Sequence, residues 1–491
     1  MDGDELEKNI QDVNGRSYAP EDEGALENEK SFEVKELDSK DNPQNYNIIF
    51  KYYISLVLIF TTFFLAFISG VWSMVTQNIV KYKHVGHEVS VLGISLYIWG
   101  LGIGGIFFSP ISEFYGRKYM YVCSLLMSFA FQCLTAFCSN LGGMLFGRFM
   151  SGLFGSAYLS VAAGSLSDMF TEEAIKTPLI WYTIAPFIGP ATAPIVMGFV
   201  NKFIYYRWTF YIPLIVTGTL FIIISLTIPE TDGPALLKKK AVRLRKEVDS
   251  RYYAPVERKQ ESLFWLMVLS FEKPMKLLIF DNMTFVLCFF TGFPMALLFL
   301  LFLGLPYIYS TVFHFSLQFQ GLAFASIVAG LALSGISASF IFDGIFNRLV
   351  RKNGGVVKPE FRFVPLMVGI LIFPVGLFIA AWTAFSHLHW IGPMVGCFIF
   401  GIASTYIFDG VFAYTEDAYR EFSATAISTN TLVRCIMAGI FPLFGQQMYK
   451  GMGVHWATTL MALVGVVLIP IPFLFFRYGE YLRLKSNFTA S

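Results

Sequence analysis

Long runs of apolar residues dominate the chain between residues 52 and 476. A run of about 18 or more such residues is long enough to cross a bilayer as a helix. The runs predict spans at 52–75, 89–111, 119–138, 142–165, 177–200 and 207–228, then at 283–304, 321–342, 363–384, 391–414, 424–446 and 454–476. The predicted fold class is therefore an all-α integral membrane protein, with twelve transmembrane helices in two six-helix halves.

The polar segments divide the chain into five parts. Residues 1–49 are acidic and poor in aromatic residues, which predicts a disordered tail. The two halves occupy 50–228 and 283–476, and a second tail covers 477–491. The central loop, 229–282, contains the basic stretch "LLKKKAVRLRKE", suited to an anionic leaflet, and the apolar stretch "SLFWLMVLSFEKPMKLLIF". These two stretches predict amphipathic helices, the second lying at the interface and leading into span 7.

The distribution of Lys and Arg predicts how the chain lies in the membrane. If the N-terminus is cytoplasmic, 29 of the 36 basic residues fall in the tails and inward loops. Two more lie inside spans, and five lie in outward loops: Lys81, Lys83, Lys202, Arg207 and Lys450. Because cytoplasmic loops carry the excess of positive charge, both termini are expected in the cytoplasm.

Composition narrows the function classes. Hydrophobic residues make up 55% of the 491 residues and charged residues 14%, too few charges to cover a soluble protein of this length. The net charge of +2 indicates no nucleic-acid partner, and the expected surroundings are the lipid bilayer. The six cysteines all lie in apolar runs without metal-ligand spacing, so we expect no metal site. The sequence contains no Gly-x-Ser-x-Gly or Walker motif, and an enzyme is not expected.

The stretch "SPISEFYGRKYMYV", residues 109–122, is a charged hairpin between spans 2 and 3. Gly116 permits a tight turn, and Arg117 with Lys118 fits a cytoplasmic loop. Glu113 needs a partner so close to lipid, either Arg117 or the N-terminus of another helix. A contact of this kind would break and re-form as the halves move. The hairpin is thus a candidate conformational latch, although a solvated turn is the plain alternative.

Span 5 contains "APFIGPATAPIVMG", in which Pro186, Pro190 and Pro194 recur every four residues around Gly189. Each proline removes a backbone hydrogen bond, and small residues let a neighbouring helix approach. We expect a bent helix that seals the two halves against each other.

Three charged residues lie deep in predicted spans: Arg148 in span 4, Asp409 in span 10 and Arg434 in span 11. Charges inside a membrane are costly and usually functional, so these are candidates for proton coupling or for a cavity charge. A structural ion pair is the alternative for each. The sequence does not determine whether Asp409 meets either arginine.

Several of these stretches together resemble one family. The hairpin is similar to the signature loop of the major facilitator superfamily, and "GRFMSGLFGS" in span 4 resembles the family's motif around a membrane arginine. The span 5 stretch resembles the motif typical of antiporters. The sequence "IPET" after span 6 and "YTEDAYREFSATAISTNTLVRCIMAGIFPLFGQQMY", residues 414–449, are similar to the twelve-span fungal drug:proton antiporters.

This resemblance implies a monomeric transporter that exports small organic molecules by alternating access in exchange for protons. It implies no cofactor, because the proton gradient supplies the energy, and it favours the plasma membrane over the vacuole. A cavity is expected between the halves, for which Tyr158, Tyr182, Tyr406 and Asn430 are candidate lining residues. Transport of an endogenous metabolite such as a polyamine, or a nutrient receptor that does not transport, remain alternatives.

Overall fold

The computed structural model describes residues 32–34, 36–39, 41–171, 174–258 and 263–484. Within these residues, twelve helical segments are long and apolar enough to cross a membrane, which confirms the predicted fold class. They are Ile48–Met74, His87–Ser112, Arg117–Phe137, Leu141–Met169, Thr177–Phe203, Trp208–Thr227, Asn282–Thr311, Leu317–Lys352, Pro359–Trp382, Ile391–Tyr419, Ser423–Met452 and Val454–Tyr481, numbered here as spans 1 to 12.

The individual α-helices subdivide some of these spans. In the first half they are Ile48–Val71, Thr76–Lys83, His87–Tyr115, Arg117–Phe137, Leu141–Gly155, Ala157–Met169, Lys176–Phe203 and Trp208–Thr227. The central loop has Gly233–Glu247, Pro255–Arg258 and Leu263–Phe280. The second half has Asn282–Thr311, Leu317–Leu322, Ala325–Lys352, Val364–Trp382, Ile391–Tyr419, Ser423–Met452, Val454–Leu468 and Pro470–Leu484.

Several helices are longer than the apolar runs that predicted them. Span 8 was predicted to end at residue 342, but its helix continues to Lys352 through polar residues. Backbone hydrogen bonding does not stop where the hydrocarbon ends, so a helix can extend into the polar layer. Since the number of spans is even, span 1 begins and span 12 ends on the same side of the bundle. We call this the terminal side and the opposite one the distal side.

The two halves repeat the same packing. In the first half span 1 packs on span 5, span 2 on span 4, and span 3 on spans 4 and 6. In the second half span 7 packs on span 11, span 8 on span 10, and span 9 on spans 10 and 12. The halves meet mainly where span 2 packs on span 11 and span 5 packs on span 8. An internal repeat of six helices therefore organises the molecule.

The seam between spans 2 and 11 is built on close backbone approach. Trp99 donates its indole N–H to the carbonyl of Ile436 at 3.3 Å, and its ring fills the space that a side chain at position 439 would need. One turn along, a Cβ on Gly102 would lie 2.6 Å from the Cβ of Cys435. Small residues thus let these helices touch, as in other membrane helix pairs.

The end of the acidic tail is folded, which corrects part of the disorder prediction. The backbone N–H of Val34 donates to the carbonyl of Tyr253 at 3.0 Å, and the Val34 side chain is buried against Ala241 and Ala254. Lys240 of the helix Gly233–Glu247 also pairs with Asp38 at 2.7 Å. This small apolar cluster supplies the burial that the composition alone did not indicate. Residues 1–31 lie outside the described part of the chain.

The helix Leu263–Phe280 is present in the central loop and leads into span 7, as the sequence predicts. It lies against spans 2 and 11, and the rings of Phe271 and Phe107 stack with centroids 6.4 Å apart. Thr429 at the start of span 11 donates to the carbonyl of Pro274 at 3.4 Å. This helix therefore bridges the two halves on the terminal side.

Candidate functional site

Arg148 in span 4 is buried and bonded to backbone carbonyls of two neighbouring spans. Its Nε donates to Gly93 O and its Nη1 to Ile68 O, both at 3.0 Å. Its Nη2 donates to Ser69 O at 3.4 Å, and the Trp72 ring centroid lies 5.3 Å from the guanidinium carbon. Arg148 therefore ties span 4 to spans 1 and 2, and this geometry is structural.

The carbonyl of Ile68 is available because span 1 changes helix type at this depth. The α-helix Ile48–Val71 passes into the 3-10 turn Trp72–Met74, and the Trp72 N–H donates to Gly70 O. In a continuous α-helix this N–H would donate to the carbonyl of Ile68, four residues earlier. The guanidinium thus satisfies a buried acceptor that the helix leaves open.

The hairpin between spans 2 and 3 is closed by a carboxylate from the end of span 6. Gly116 has φ +93°, which favours glycine, and span 3 begins at the next residue. The two carboxylate oxygens of Glu230 accept the backbone N–H groups of Arg117 at 3.0 Å and Lys118 at 3.1 Å. Glu230 therefore caps the positive N-terminus of span 3. Glu230 lies in the stretch "IPET", whose sequence alone does not indicate this capping role.

The guanidinium of Arg117 pairs with acids of its own half. It lies 3.0 Å from Asp168 at the end of span 4 and 3.7 Å from Asp232 at the start of the central loop. Burial raises the pKa of Asp232, while the Ala235 N–H and Arg117 act in the opposite direction. The side chain of Glu113, the acid proposed as the latch, lies outside the described residues.

The second half carries the same kind of ion pair at the same place in the repeat. Arg362, at the start of span 9, lies 2.8 Å from Asp417 at the end of span 10. Arg362 thus corresponds to Arg117, and Asp417 to Asp168. In each half, a salt bridge fixes the terminal-side ends of two neighbouring spans, a repeat that the apolar pattern alone does not reveal.

The nearest neighbours of Gly189 belong to its own half, which corrects the predicted seal at this position. A Cβ at this position would lie 2.5 Å from Phe63 O and 2.9 Å from Phe67 N, both in span 1 of the same half. Likewise, the carbonyl of Pro190 closely approaches Gly70 of span 1. The carbonyl of Pro194 does face the other half, where it closely approaches Gly321 of span 8. Pro186, the first proline of the motif, is likewise inside the continuous helix Lys176–Phe203.

Arg434 in span 11 lies between the halves, surrounded by aromatic rings. The centroids of Phe187, Phe408 and Phe412 lie 5.3, 5.9 and 5.5 Å from its guanidinium carbon. Phe187 belongs to span 5 and the other two to span 10, so both halves contribute to this group. The described hydrogen bond of the side chain runs from Nη2 to Thr431 on its own helix, at 3.4 Å. We call Arg434 and its three phenylalanines the arginine box.

The arginine box lies at one depth in the bundle. Phe187 is ten residues into span 5 from Thr177, and Arg434 is eleven residues into span 11 from Ser423. Phe408 is eleven residues from the end of span 10 at Tyr419. At helical rise each is about 15–17 Å from the terminal-side end of its span, near mid-membrane.

A small cavity adjoins the arginine box. Its lining includes Phe187 and Phe408 together with apolar residues of spans 7, 8 and 10: Pro294, Met295, Leu298, Ile327, Leu331 and Phe400. Its volume of about 10 Å³ is barely that of one water molecule. The space between the halves is therefore closed at this depth.

The four predicted cavity residues divide into two groups. Tyr158 is fully buried in the first half, where its hydroxyl donates to Tyr121 O of span 3 at 3.1 Å. Tyr182 donates to Leu159 O at 2.7 Å, which fixes it against span 4. The prediction that Tyr158 lines the space between the halves is wrong, because its side chain points towards span 3.

The other two predicted residues lie in the second half. Asn430 accepts the hydroxyl of Thr291 at 2.9 Å and links span 11 to span 7, one turn from Arg434. The hydroxyl of Tyr406 lies 2.9 Å from that of Ser337, linking spans 10 and 8. Both side chains are thus held by hydrogen bonds within their own half.

Asp409 lies in a separate cavity of about 80 Å³ on the terminal side of the second half. Asp343 of span 8 and Arg362 of span 9 also line it. Within the described chain Asp409 forms no ion pair with Arg148 or Arg434, whose partners are given above. Asp343 directly follows the predicted end of span 8 at residue 342, so the apolar pattern does not place it inside a span.

Residues 54–442 match the family model of the Major Facilitator Superfamily, and the chain belongs to that family of membrane transporters. It is 45% identical over 469 residues to the "Probable drug/proton antiporter YHK8" of Saccharomyces cerevisiae, covering 95% of this chain and 91% of the relative. It is 37% identical over 398 residues to the "Efflux pump atB" of Aspergillus terreus, covering 80% and 83%.

A solved structure shares the fold. The xylose transporter XylE from E. coli, in a partially occluded inward open conformation, superimposes with a TM-score of 0.61 at 12% identity. The match covers 87% of this chain and 99% of that structure. At this identity the likeness concerns the fold alone.

Proposed function

We propose that the chain exports small organic compounds of the drug type by alternating access, in exchange for protons. The observation that carries this proposal is the arginine box, which both halves build beside a small apolar cavity at mid-membrane depth. A rocking movement of the halves would open that cavity to one side at a time. The names of the relatives, a drug/proton antiporter and an efflux pump, support the substrate class and the direction.

The contacts that join the two halves on the distal side, here called the distal closure, have to break during such a movement. Gln447 at the end of span 11 donates to the carboxylate of Glu88 at the start of span 2, at 2.7 Å. Near the same side, a Cβ on Gly198 of span 5 would lie 3.1 Å from Leu317 O of span 8. These contacts join the halves distally, so release to the distal side requires their separation.

The proton would be carried by Asp409. It lies in span 10 and lines a cavity on the terminal side together with Asp343. Two carboxylates in one cavity repel each other, and protonation of one removes that repulsion. Arg362 is engaged with Asp417 at 2.8 Å, which leaves Asp409 available for exchange with protons.

The terminal side faces the cytoplasm, in keeping with the excess of Lys and Arg there. The protein acts as a monomer in the plasma membrane, where export removes a compound from the cell.

Cross-linking the distal closure tests alternating access directly. The six native cysteines are free in the structure, so the experiment starts from a cysteine-free variant that still transports. Glu88→Cys and Gln447→Cys are then introduced together. Oxidation should abolish efflux of a substrate found in a broad compound panel, and reduction should restore it. The matched control is Asn201→Cys with Thr209→Cys, a pair bonded at 2.7 Å within one half.

Efflux is measured in cells and in vesicles, with and without a proton uncoupler. Uncoupler-sensitive efflux that stops on cross-linking only the inter-half pair supports the proposal. Full efflux through the cross-linked inter-half pair would rule out the rocking movement. An efflux rate that is the same with and without the uncoupler would rule out proton antiport.

A further inference from the structure

Arg434 is a buried cation without an acidic partner in the described part of the chain. Its side chain is 7% exposed, and its Nε and Nη1 have no hydrogen-bond partner there. The contact of Nη2 with Thr431 is long at 3.4 Å and involves a neutral hydroxyl. A guanidinium carries five N–H donors, so most of its bonding capacity remains unused.

Arg148, by contrast, has a hydrogen-bond acceptor at each of its three guanidinium nitrogens. Arg148 is 3% exposed, and each of its three nitrogens donates to a backbone carbonyl. Two arginines of similar burial, one in each half, therefore have different numbers of hydrogen-bond acceptors around them. A purely structural role would favour the arrangement of Arg148, because unpaired buried donors cost free energy.

The acid next in sequence to the arginine box, Asp409, does not pair with Arg434. Asp409 is close in sequence to Phe408 but lines the other cavity, with Asp343 and Arg362. Aromatic faces near the guanidinium attract its charge, but they accept no conventional hydrogen bonds. The ring faces thus lower the cost of burying the cation while leaving its N–H groups for another acceptor.

The apolar cavity shares two of its lining residues with the surroundings of this cation. Phe187 and Phe408 border the guanidinium and also line the cavity, whose other walls are almost wholly apolar. A ligand reaching both places needs an anionic head and a flat or apolar body. An inorganic anion would satisfy the guanidinium but would gain nothing from the apolar walls.

We infer that Arg434 binds the anionic head of an organic acid, with a carboxylate as the preferred group, while the apolar cavity receives its body. The planar guanidinium matches a carboxylate in a two-point contact. Separation of Phe187 from Phe408 enlarges the cavity enough to admit the body. This assignment rests on the proposed function and names the substrate class of the same site.

The first test compares three probes of one shape on the purified wild-type protein in nanodiscs. These are 1-naphthoate, the neutral 1-naphthamide and the cationic 1-naphthylmethylammonium, with binding measured directly by isothermal calorimetry. The expected order of affinity is naphthoate, then naphthamide, then the ammonium compound. Inorganic phosphate should not displace naphthoate. Equal or tighter binding of the ammonium compound would overturn the inference without the use of any variant.

The second test changes the cation. Arg434→Met should raise the Kd for naphthoate roughly 10- to 100-fold and leave that for naphthamide nearly unchanged. Arg434→Lys keeps the charge but loses the planar fork, so it should fall between wild type and Arg434→Met. Arg148→Met is the matched control: loss of folded protein should lower the fraction that binds, by the same factor for both probes. Circular dichroism and gel filtration establish which variants are folded.

The outcomes separate this inference from the proposed function. Uncoupler-sensitive efflux of neutral or cationic compounds, with no preference for naphthoate at the binding site, would overturn the inference and leave drug export standing. Arg434-dependent binding of naphthoate without efflux of any compound would support the inference and overturn export. An equal loss of naphthoate and naphthamide binding in a folded Arg434→Met protein would show that the Arg434 charge does not distinguish the anionic ligand from the neutral one. This result would overturn the inference.

Discussion

The ring of Phe187 in span 5 stacks on the ring of Phe408 in span 10, with centroids 4.2 Å apart and planes inclined by 24°. One ring comes from each half of the molecule. Both rings also border the buried guanidinium of Arg434. The stack therefore closes the space between the halves and has to open before an organic molecule can enter.

Removal of one ring should weaken binding of flat aromatic ligands. Phe187→Leu keeps an apolar side chain but loses the stacking contact, worth about 0.5–1.5 kcal/mol. We expect a roughly 2- to 10-fold higher Kd for an aromatic substrate, measured by calorimetry. Phe107→Leu is the matched control, because Phe107 stacks on Phe271 outside the cavity. An unchanged Kd for Phe187→Leu would show that the stack does not contact the ligand.

Replacement of Arg148 should lower stability. Arg148→Met leaves the carbonyls of Gly93, Ile68 and Ser69 without their buried donor. The expected loss is about 2–4 kcal/mol, visible as a lower Tm in detergent. Arg434→Met, which removes a charge with few bonds, should keep a Tm close to wild type. If both variants lost the same stability, the contrast between the two arginines would be wrong.

A side chain at Gly321 should open the seam between spans 5 and 8. A Cβ there would overlap the backbone carbonyl of Pro194, which cannot rotate away. Gly321→Ala should therefore increase labelling of a cysteine placed at Leu317 and reduce coupled efflux several-fold. Gly105→Ala serves as the control, since nothing lies within 4 Å of its Cβ. Normal coupling in Gly321→Ala would contradict the role of this contact.

Asp409→Asn should separate transport from the proton gradient. The neutral amide imitates the protonated acid and cannot release a proton. In proteoliposomes, uphill efflux driven by an imposed pH gradient should fall at least tenfold, while exchange of substrate across equal concentrations continues. Asp343→Asn, in the same cavity, should have a smaller effect. Uphill efflux at the wild-type rate in Asp409→Asn would assign the proton to another group.

Asp232 should make stability depend on pH. Burial raises its pKa in the folded state, so the folded chain holds this proton more tightly than the unfolded chain does. Its contribution to stability is therefore greatest at low pH and falls as pH rises above about 4, the ordinary value for Asp, through the raised pKa. Asp232→Asn retains a helix-capping side chain but does not titrate.

The measurement is Tm against pH from 4 to 7 for the wild type and Asp232→Asn. Wild type minus variant should decline with rising pH, because the variant removes only the contribution of this carboxylate. A difference that stays flat or increases would show that Arg117, at 3.7 Å, outweighs burial.

The sequence predicts those features that depend on local pattern. All twelve spans were found because a bilayer requires long apolar helices, whatever their neighbours are. The depth of Arg148 and Arg434 also follows from their place in a span. Their surroundings do not: the free carbonyl of Ile68 beside Arg148 depends on a 3-10 turn in span 1, and the rings around Arg434 come from two other spans.

The span 5 motif shows the same division. Its small residues predict close helix packing, and such packing occurs at Gly189 and Pro194. The identity of the neighbour depends on which way each residue faces in the assembled bundle, and a four-residue spacing drifts slowly around the helix. Gly189 consequently meets span 1, while Pro194 meets span 8 in the opposite half.

The main-chain contact between Gly321 and Pro194 also bears on how the protein could escape a drug aimed at it. An inhibitor wedged into this seam would touch backbone that is close-packed on both sides. A larger side chain at position 321 would exclude such an inhibitor. The same added atoms would also hold the two halves apart. Resistance at this place would therefore come at the expense of transport itself, in contrast to resistance at a cavity lined by interchangeable apolar side chains.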